Sequence, residues 1–306
     1  MTFAFDITDP IFHDEAKATA HMEADRWPNG VICPLCGSEK VHKMGGKTQN
    51  GMFVCYDCAQ KFTIRTGTVF ERSHIPLHKW LLATRIMAAS KKSVSALQLQ
   101  RMLGLGSYRT AWFMCMRIRE AMKPAKVGPL GGHGKVVEAD ETEIGGKAKN
   151  RAFRKKPPRK ETVLTLIERD GMAHSFHVAN VTSKSLRPII FKVTERASTL
   201  MTDEWATYTW LGKEFAAHQT VNHSKNEWAR GEWHINTAEC RFSLMKRAVF
   251  GAHHAVSEAH LHRYLVEWDF KWNTRKMTDG ERAALALKGA EGKRLMYRQP
   301  SEAAHA

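Results

Sequence analysis

The sequence predicts an α/β protein in three parts: a four-cysteine zinc ribbon near the N-terminus, a short helical unit, and a larger domain mixing strands and helices. Three observations predict this. Cys33, Cys36, Cys55 and Cys58 stand as C-x2-C, eighteen residues, C-x2-C. From Leu77 to Met122 the apolar residues recur three and four apart, a helical period. Beyond a glycine-rich linker, β-branched runs alternate with helical ones, the texture of an α/β domain. A length of 306 residues accommodates two or three folding units at roughly 100–200 residues each.

Composition narrows the class. Hydrophobic residues make up 43%, enough to bury a core, which excludes disordered and collagen-like chains. The formal net charge is +16 and the isoelectric point about 9.7, so a polyanionic partner is expected, with nucleic acid the default. A ribosome-associated protein or a merely basic enzyme would share that charge. The first twenty residues are acidic and lack the basic start and apolar run of an export signal. No apolar run reaches the ~18 residues of a membrane span, so no membrane partner is expected. A cytoplasmic location follows as the expectation, and there six cysteines are not a disulfide framework.

Each C-x2-C pair suits a tight knuckle that turns both sulfurs to one face, and two knuckles close around one tetrahedral zinc. Four thiolates leave no open coordination position, so the zinc is structural. Lys40, His42, Lys43, Lys47, Lys61 and Arg65 are the basic groups the ribbon would present. Cys115 and Cys240 read as small packing residues.

LHKWLLATRIMAAS reads as one helix. Ser93 is the expected cap of a second, SVSALQLQRML, which stops at Gly104, and a third runs from about Tyr108 to Met122. Three short helices with a glycine turn between the last two suggest a helix-turn-helix. Arg109, Arg117 and Arg119 on the third helix are its candidate DNA contacts; Trp112, Met116 and Ile118 read equally well as core.

After the linker AKVGPLGGHGK, the runs KVVEAD, ETVLTLIERD, MAHSFHVAN and STLMTDE read as strands, with Asp170-Gly171 as a hairpin turn. SKSLRPIIFKVTER, NTAECRFSLMKRAV and SEAHLHRYLVEWDFKWN read as helices. Asp140 and Asp203 are expected at strand ends, and Glu239 on a helix 36 residues after Asp203. Carboxylates from strand ends and a facing helix hold paired divalent cations, and oxygen ligands favour Mg2+ or Mn2+. On spacing alone, a turn or cap residue explains each acid as well. KAKNRAFRKKPPRK, residues 147–160, carries eight basic residues and no acid. Lys155, Lys156 and Arg159 within it are candidate phosphate contacts, against the plainer reading of a solvated loop. Four histidines, His223, His234, His253 and His254, suggest phosphate or structural hydrogen bonds more than a second metal site. Trp205 and Tyr208 read as packing residues, with base stacking the alternative.

Several stretches carry a family likeness: SALQLQRMLGLGSYRTAWFMCMRIREAM, EADETEIGGK, VNHSKNEW, HINTAECRFSLMKR and GAHHAVSEAHLHRYLVEWDFKWN. With the cysteines, they resemble the ISXO-type insertion-sequence DDE transposases over about residues 30–275. The most specific parts are DET-x-IGGK and N-T-x-E followed by LMKR. The resemblance implies an RNase H-like catalytic core whose acidic triad falls on Asp140, Asp203 and Glu239. Asn236, one helical turn before Glu239, is the rival third ligand. Lys246, two turns after Glu239, falls where such enzymes contact the DNA end. Cys240 departs from the small glycine usual there.

The expected organisation is a lead over 1–30, a zinc ribbon over 31–70, a helix-turn-helix over 75–124, the DDE domain over 133–275 and a tail over 276–306. The resemblance implies an insertion-sequence transposase that binds terminal inverted repeats, cleaves them and joins 3′ ends to target DNA. It implies Zn2+ and Mg2+ or Mn2+ as cofactors, a homo-oligomer on DNA, and a bacterial-type, nucleoid-associated setting. A DNA-binding regulator derived from a transposase, or an RNase H-like repair nuclease, would share much of this pattern.

Overall fold

The computed structural model describes residues 6–46, 51–145 and 160–297. The chain forms two compact units, Met1–Lys123 with Met277–Ala306, and Pro124–Lys276.

In the first unit a 3-10 turn, Pro10–Phe12, precedes α1 (Glu15–Arg26). Asp14 caps α1 by accepting the Lys17 N–H at 2.8 Å. The ribbon follows as a three-stranded antiparallel sheet of β1 (Val41–Lys43), β2 (Met52–Cys55) and β3 (Lys61–Thr63). Its apolar support is small. Trp27 at the end of α1 stands edge-on to Phe53 and Phe62, with ring centres 5.6 and 6.1 Å away. A sheet this short buries too little surface to hold itself, which is where a metal is needed.

Three helices come next: α2 (Leu77–Ala89), α3 (Ala96–Leu103) and α4 (Tyr108–Met122). The cap of α3 is Ser95, whose hydroxyl accepts the Gln98 N–H at 3.1 Å. Ser93, the expected cap, instead turns the chain two residues earlier with φ +72°. Gly104 ends α3 at φ +58°, a left-handed conformation that a side chain would strain.

In the second unit one linker glycine, Gly131, lies against the sheet. A Cβ on Gly131 would lie 2.0 Å from the Ser198 hydroxyl, and the residue has φ +88°, so glycine is required twice over. Then come β4 (Val136–Gly145), β5 (Lys160–Glu168) and β6 (Ala173–Val178), antiparallel neighbours. The β5–β6 hairpin turns at Asp170, φ +61°, as its Asp-Gly pair predicts. α5 (Ser183–Val193) leads to β7 (Thr199–Thr202), α6 (Ala206–Gly212) and β8 (Ala217–Thr220). The sheet order is β6-β5-β4-β7-β8, with β7 parallel to β4 and β8 parallel to β7. A small hairpin of β9 (Ala229–Arg230) and β10 (Trp233–His234) precedes α7 (Asn236–Ala248) and α8 (Glu258–Asn273).

Alternation along β4 sorts its two faces. Val137 and Ala139 join Leu164, Leu166 and Leu200 against Leu186 and Ile190 of α5 and Leu211 of α6. Glu138 and Asp140 face the other way, toward α7, which packs on β4 and β5. α8 is tied to the edge strand through Asp269, which accepts the Ser175 N–H and hydroxyl at 2.7 Å each. The same carboxylate accepts from the buried Arg241 of α7 at 2.7 Å.

The last helix among the described residues, α9 (Asp279–Lys288), belongs to the first unit, packed on α2 and α4. Thr278 and Glu281 close a capping box at its start. Among the described residues no helix is long and apolar enough to cross a membrane.

Candidate active site and metal centre

The four ribbon cysteines converge. Cys33 Sγ lies 3.8 Å from Cys58 Sγ, Cys36 Sγ lies 3.6 Å from Cys55 Sγ, and all four fall within 4.8 Å of one another. A Zn–S bond of ~2.3 Å at tetrahedral angles requires sulfurs about 3.8 Å apart, so the set fits zinc. Its local construction explains the fit. The Gly37 N–H bonds the Cys33 carbonyl at 2.9 Å, and the Cys55 N–H bonds the Gln60 carbonyl at 3.0 Å, each closing a knuckle. The N–H groups of Cys58 and Asp57 pull the Cys55 thiol down to about 7.

The ribbon's basic groups divide. Lys40 pairs with Asp57 at 3.5 Å and Lys43 with Glu23 at 2.9 Å, both at the surface. Arg65 is structural, donating to the Ser73 and Ile75 carbonyls at 2.8 and 2.7 Å. His42 and Lys61 are exposed. Lys47 lies outside the described residues, as do Lys155, Lys156, Arg159 and the rest of the basic stretch before Lys160.

The third helix corrects the expected contact set. Arg119 is only 2% exposed, its guanidinium beside Met116 in the interior, so it has no path to a duplex. Arg117 is half-buried, lying over the Phe113 ring at 4.8 Å and donating to the Glu71 carbonyl at 3.1 Å. Arg109, in the first turn of α4, is exposed. Met116 and Ile118 are core. The outward surface here is Leu97, Gln98, Arg101 and Met102 of α3 together with Tyr108 and Arg109.

In the second unit the acids come from three distant stretches. Asp140 does not end its strand, since β4 continues to Gly145. It projects from mid-strand on the α7 face. In the parallel register Met201 lies beside Glu138, so Asp203, two residues on, emerges on the same side as Asp140. Glu239 sits in the first turn of α7. Burial pushes Asp140 up to about 8 against the pull of the Glu141 N–H, and the charges of Glu141, Asp203 and Glu239 add to the rise. Burial also raises Asp203, opposed by the Trp205 N–H that it accepts at 3.0 Å.

These carboxylates repel one another without forming a closed ligand cage. Among the described residues, the only metal-competent group with ligand atoms all within 4.8 Å is the cysteine set. Their oxygen donors are of the type that hard divalent cations take. Asn236, Glu239 and Lys246 are all exposed on α7 at spacings of three and seven, which places them on one helical face.

Sequence reasoning did not find Glu141 or Glu138. Burial lifts Glu141 to about 7, and it accepts a hydrogen bond from the buried Tyr208 hydroxyl. Glu138, fully buried, binds the start of α7. Trp205, read as packing, is 52% exposed, whereas Tyr208 is core. Trp228 is also exposed, its ring 4.6 Å from that of His223. His223 Nε2 lies 3.9 Å from the Glu239 carboxylate, so this histidine joins the acidic group. His234 Nδ1 lies 3.6 Å from the Glu138 carboxylate, and His253 packs edge-on against the Tyr264 ring. Cys240 is exposed rather than packed, and Cys115 is buried.

Two family models match the chain: the transposase zinc-ribbon domain over residues 13–61 and the ISXO2-like transposase domain over residues 129–273. An uncharacterized protein in transposable element ISH50 of Halobacterium salinarum is 30% identical over 274 residues, covering 83% of this chain and 89% of that protein. A sulfur-lined ribbon and a mixed sheet carrying clustered carboxylates thus occur together in a transposase. In particular, the chain belongs to the ISXO2-like transposase family, in its zinc-ribbon form.

Proposed function

We propose that this transposase binds the terminal inverted repeats of its element, cleaves DNA strands at the element ends and joins the resulting 3′ ends to target DNA. The single observation that carries the chemistry is the placement of Asp140 and Asp203 on one side of the sheet, the side on which α7 packs with Glu239 in its first turn. A polar, like-charged cluster of this kind is stabilised by bound divalent cations. Mg2+ or Mn2+ bound there would supply the positive charge that activates an attacking oxygen and stabilises a leaving one.

The protein's own groups do the rest. Asp140 and Asp203 offer carboxylates from the sheet, and Glu239 offers one from α7. Glu239 is the third ligand in this reading because a carboxylate binds a hard cation better than the Asn236 amide. Lys246 on the same helical face would hold a DNA-end phosphate. The sheet order, three antiparallel strands followed by two parallel ones, supports the RNase H-like reading of the core. For docking, the exposed face of α3 with Arg109 is the surface that remains once Arg119 is inside and Arg117 is engaged with Phe113 and the Glu71 carbonyl. It is the reading helix-turn-helix surface here, with the ribbon beside it in sequence. Pairing two element ends requires two or more subunits on DNA.

The test is cleavage and strand transfer on labelled repeat DNA with Mg2+ or Mn2+, comparing wild type with Asp203→Asn. The expected outcome is cutting and joining by the wild type, with both lost in the variant while repeat binding is kept. Repeat binding without cutting under either metal would move the assignment to a DNA-binding regulator. Cutting without joining would move it to a nuclease.

A further inference from the structure

α7 begins without a cap of its own. Its N-cap position is Ile235, which has no side-chain acceptor for the first N–H groups of the helix. The missing acceptor comes from the sheet. Glu138, wholly buried on β4, accepts the Ala238 N–H at 3.0 Å through Oε2 and the Thr237 hydroxyl at 2.9 Å through Oε1. Arg169, just past β5, donates to the same Oε1 from Nε at 3.2 Å and Nη2 at 3.1 Å. It also donates to the carbonyls of Glu232 and His234, at 2.8 and 3.0 Å, and so holds the hairpin that leads into α7.

We infer that Glu138 and Arg169 are positioning residues that fix the Glu239 carboxylate against Asp140. The inference rests on the reading of Asp140, Asp203 and Glu239 as a divalent-cation site. A serine or aspartate at the N-cap would satisfy the same N–H groups but would fix only the helix's own conformation. A cap supplied from β4 fixes helix to strand. Glu138 is two residues before Asp140 on one strand face, and Ala238 is one residue before Glu239. The path from one candidate ligand to the other therefore runs through a single buried carboxylate placed at the positive end of the α7 dipole. Arg169 supplies the paired, hydrogen-bonded partner that a buried carboxylate needs.

The experiment uses the full chain and Mn2+ alone as probe, with binding followed by electron paramagnetic resonance and amide exchange followed in parallel. Asp140→Asn defines the site: the wild type binds Mn2+ there and this variant loses it. Glu138→Gln is expected to raise the half-saturating Mn2+ concentration about tenfold or more, within the range seen for residues that orient metal ligands. The Ala238 and Glu239 amides should also lose protection relative to β5. Leu186→Ala, a cavity on the opposite face of the sheet, lowers thermal stability comparably but should leave Mn2+ affinity within about twofold. Unchanged affinity in Glu138→Gln, or equal weakening in Leu186→Ala, overturns the inference. If Glu138→Gln does not fold, Thr237→Val removes one bond of the clamp and should raise the Mn2+ requirement about threefold; no rise overturns it. Should the wild type bind no Mn2+ that Asp140→Asn removes, the cation reading fails, and protection of Ala238 still decides the clamp by itself.

Discussion

The chain crowds like-charged ligands twice, and it does so in opposite ways. In the ribbon the four sulfurs are already at zinc spacing, with Cys36 and Cys55 3.6 Å apart and Cys33 and Cys58 3.8 Å apart, because two knuckles a few residues long each turn their sulfurs toward the other. In the second unit the acids arrive from mid-β4, the end of β7 and the start of α7, and they stop short of a closed cage. The sulfur site gains its geometry locally and has no position to spare. The carboxylate group gains its geometry from the fold, with donors from three separate stretches of chain. A structural ion needs the first arrangement and a reacting one needs the second.

The sharpest way to break this contrast is to remove one sulfur. Cys55→Ser should abolish stoichiometric zinc and cost β1–β3 their exchange protection by about a hundredfold or more, because metal binding there is folding energy. Zinc content by mass spectrometry together with amide exchange checks this; a folded ribbon without zinc would erase the distinction.

Removal of an acid should act in the opposite sense on stability. Asp203→Asn should lower cleavage by roughly a thousandfold or more while leaving the unit folded. In chelator, Asp140→Asn should raise the melting temperature by several degrees at pH 8. The direction follows from the raised values. Asp140 near 8 and Glu141 near 7 are costly when ionised, so the metal-stripped protein should lose stability as pH climbs from about 4 to about 8. Mg2+ should flatten that slope. A melting temperature that is flat across this window in chelator would mean that the acids do not repel as described.

A smaller effect sharpens the third position. Glu239→Gln should cost cleavage at least about tenfold more than Asn236→Ala, given the ligand preference of a hard cation. Equal losses would divide the role between them. Smallest of all is the separation of Arg109 from Arg119. Arg109→Ala should weaken binding across all DNA sequences and reduce the salt slope by about one. Arg119→Ala should instead cost about 2–4 kcal/mol of stability, as the loss of a buried, partnered side chain does. Titration calorimetry at several salt concentrations and thermal melts separate the two.

Local features were legible from sequence because local physics sets them. The cysteine knuckles, the stop at Gly104, the span of α4 and the Asp170 turn all follow from residues within a few positions of one another. β8 was not legible, since Ala217–Thr220 is half-exposed throughout and shows no apolar alternation. Nor were the partners of Glu138 and Glu141, which lie 100 and 67 residues along the chain. Arg119 was read outward because arginine usually faces water, whereas α4 is enclosed on most sides by α2, α3 and α9. The acidic triad stood out through family likeness; spacing alone did not separate these three from other acids.

The placement of α9 has a consequence for synthesis. The apolar sides of α2 and α4 that α9 covers are made early, and their cover is encoded after residue 276. On a ribosome adding about 5–20 residues per second, those surfaces wait for at least several seconds while the whole second unit is translated. A product broken off before α9 would expose them permanently, a state that aggregates or is degraded. Packing of the first unit is complete once α9 is translated, so copies truncated before it are expected to be cleared rather than to compete with the intact protein.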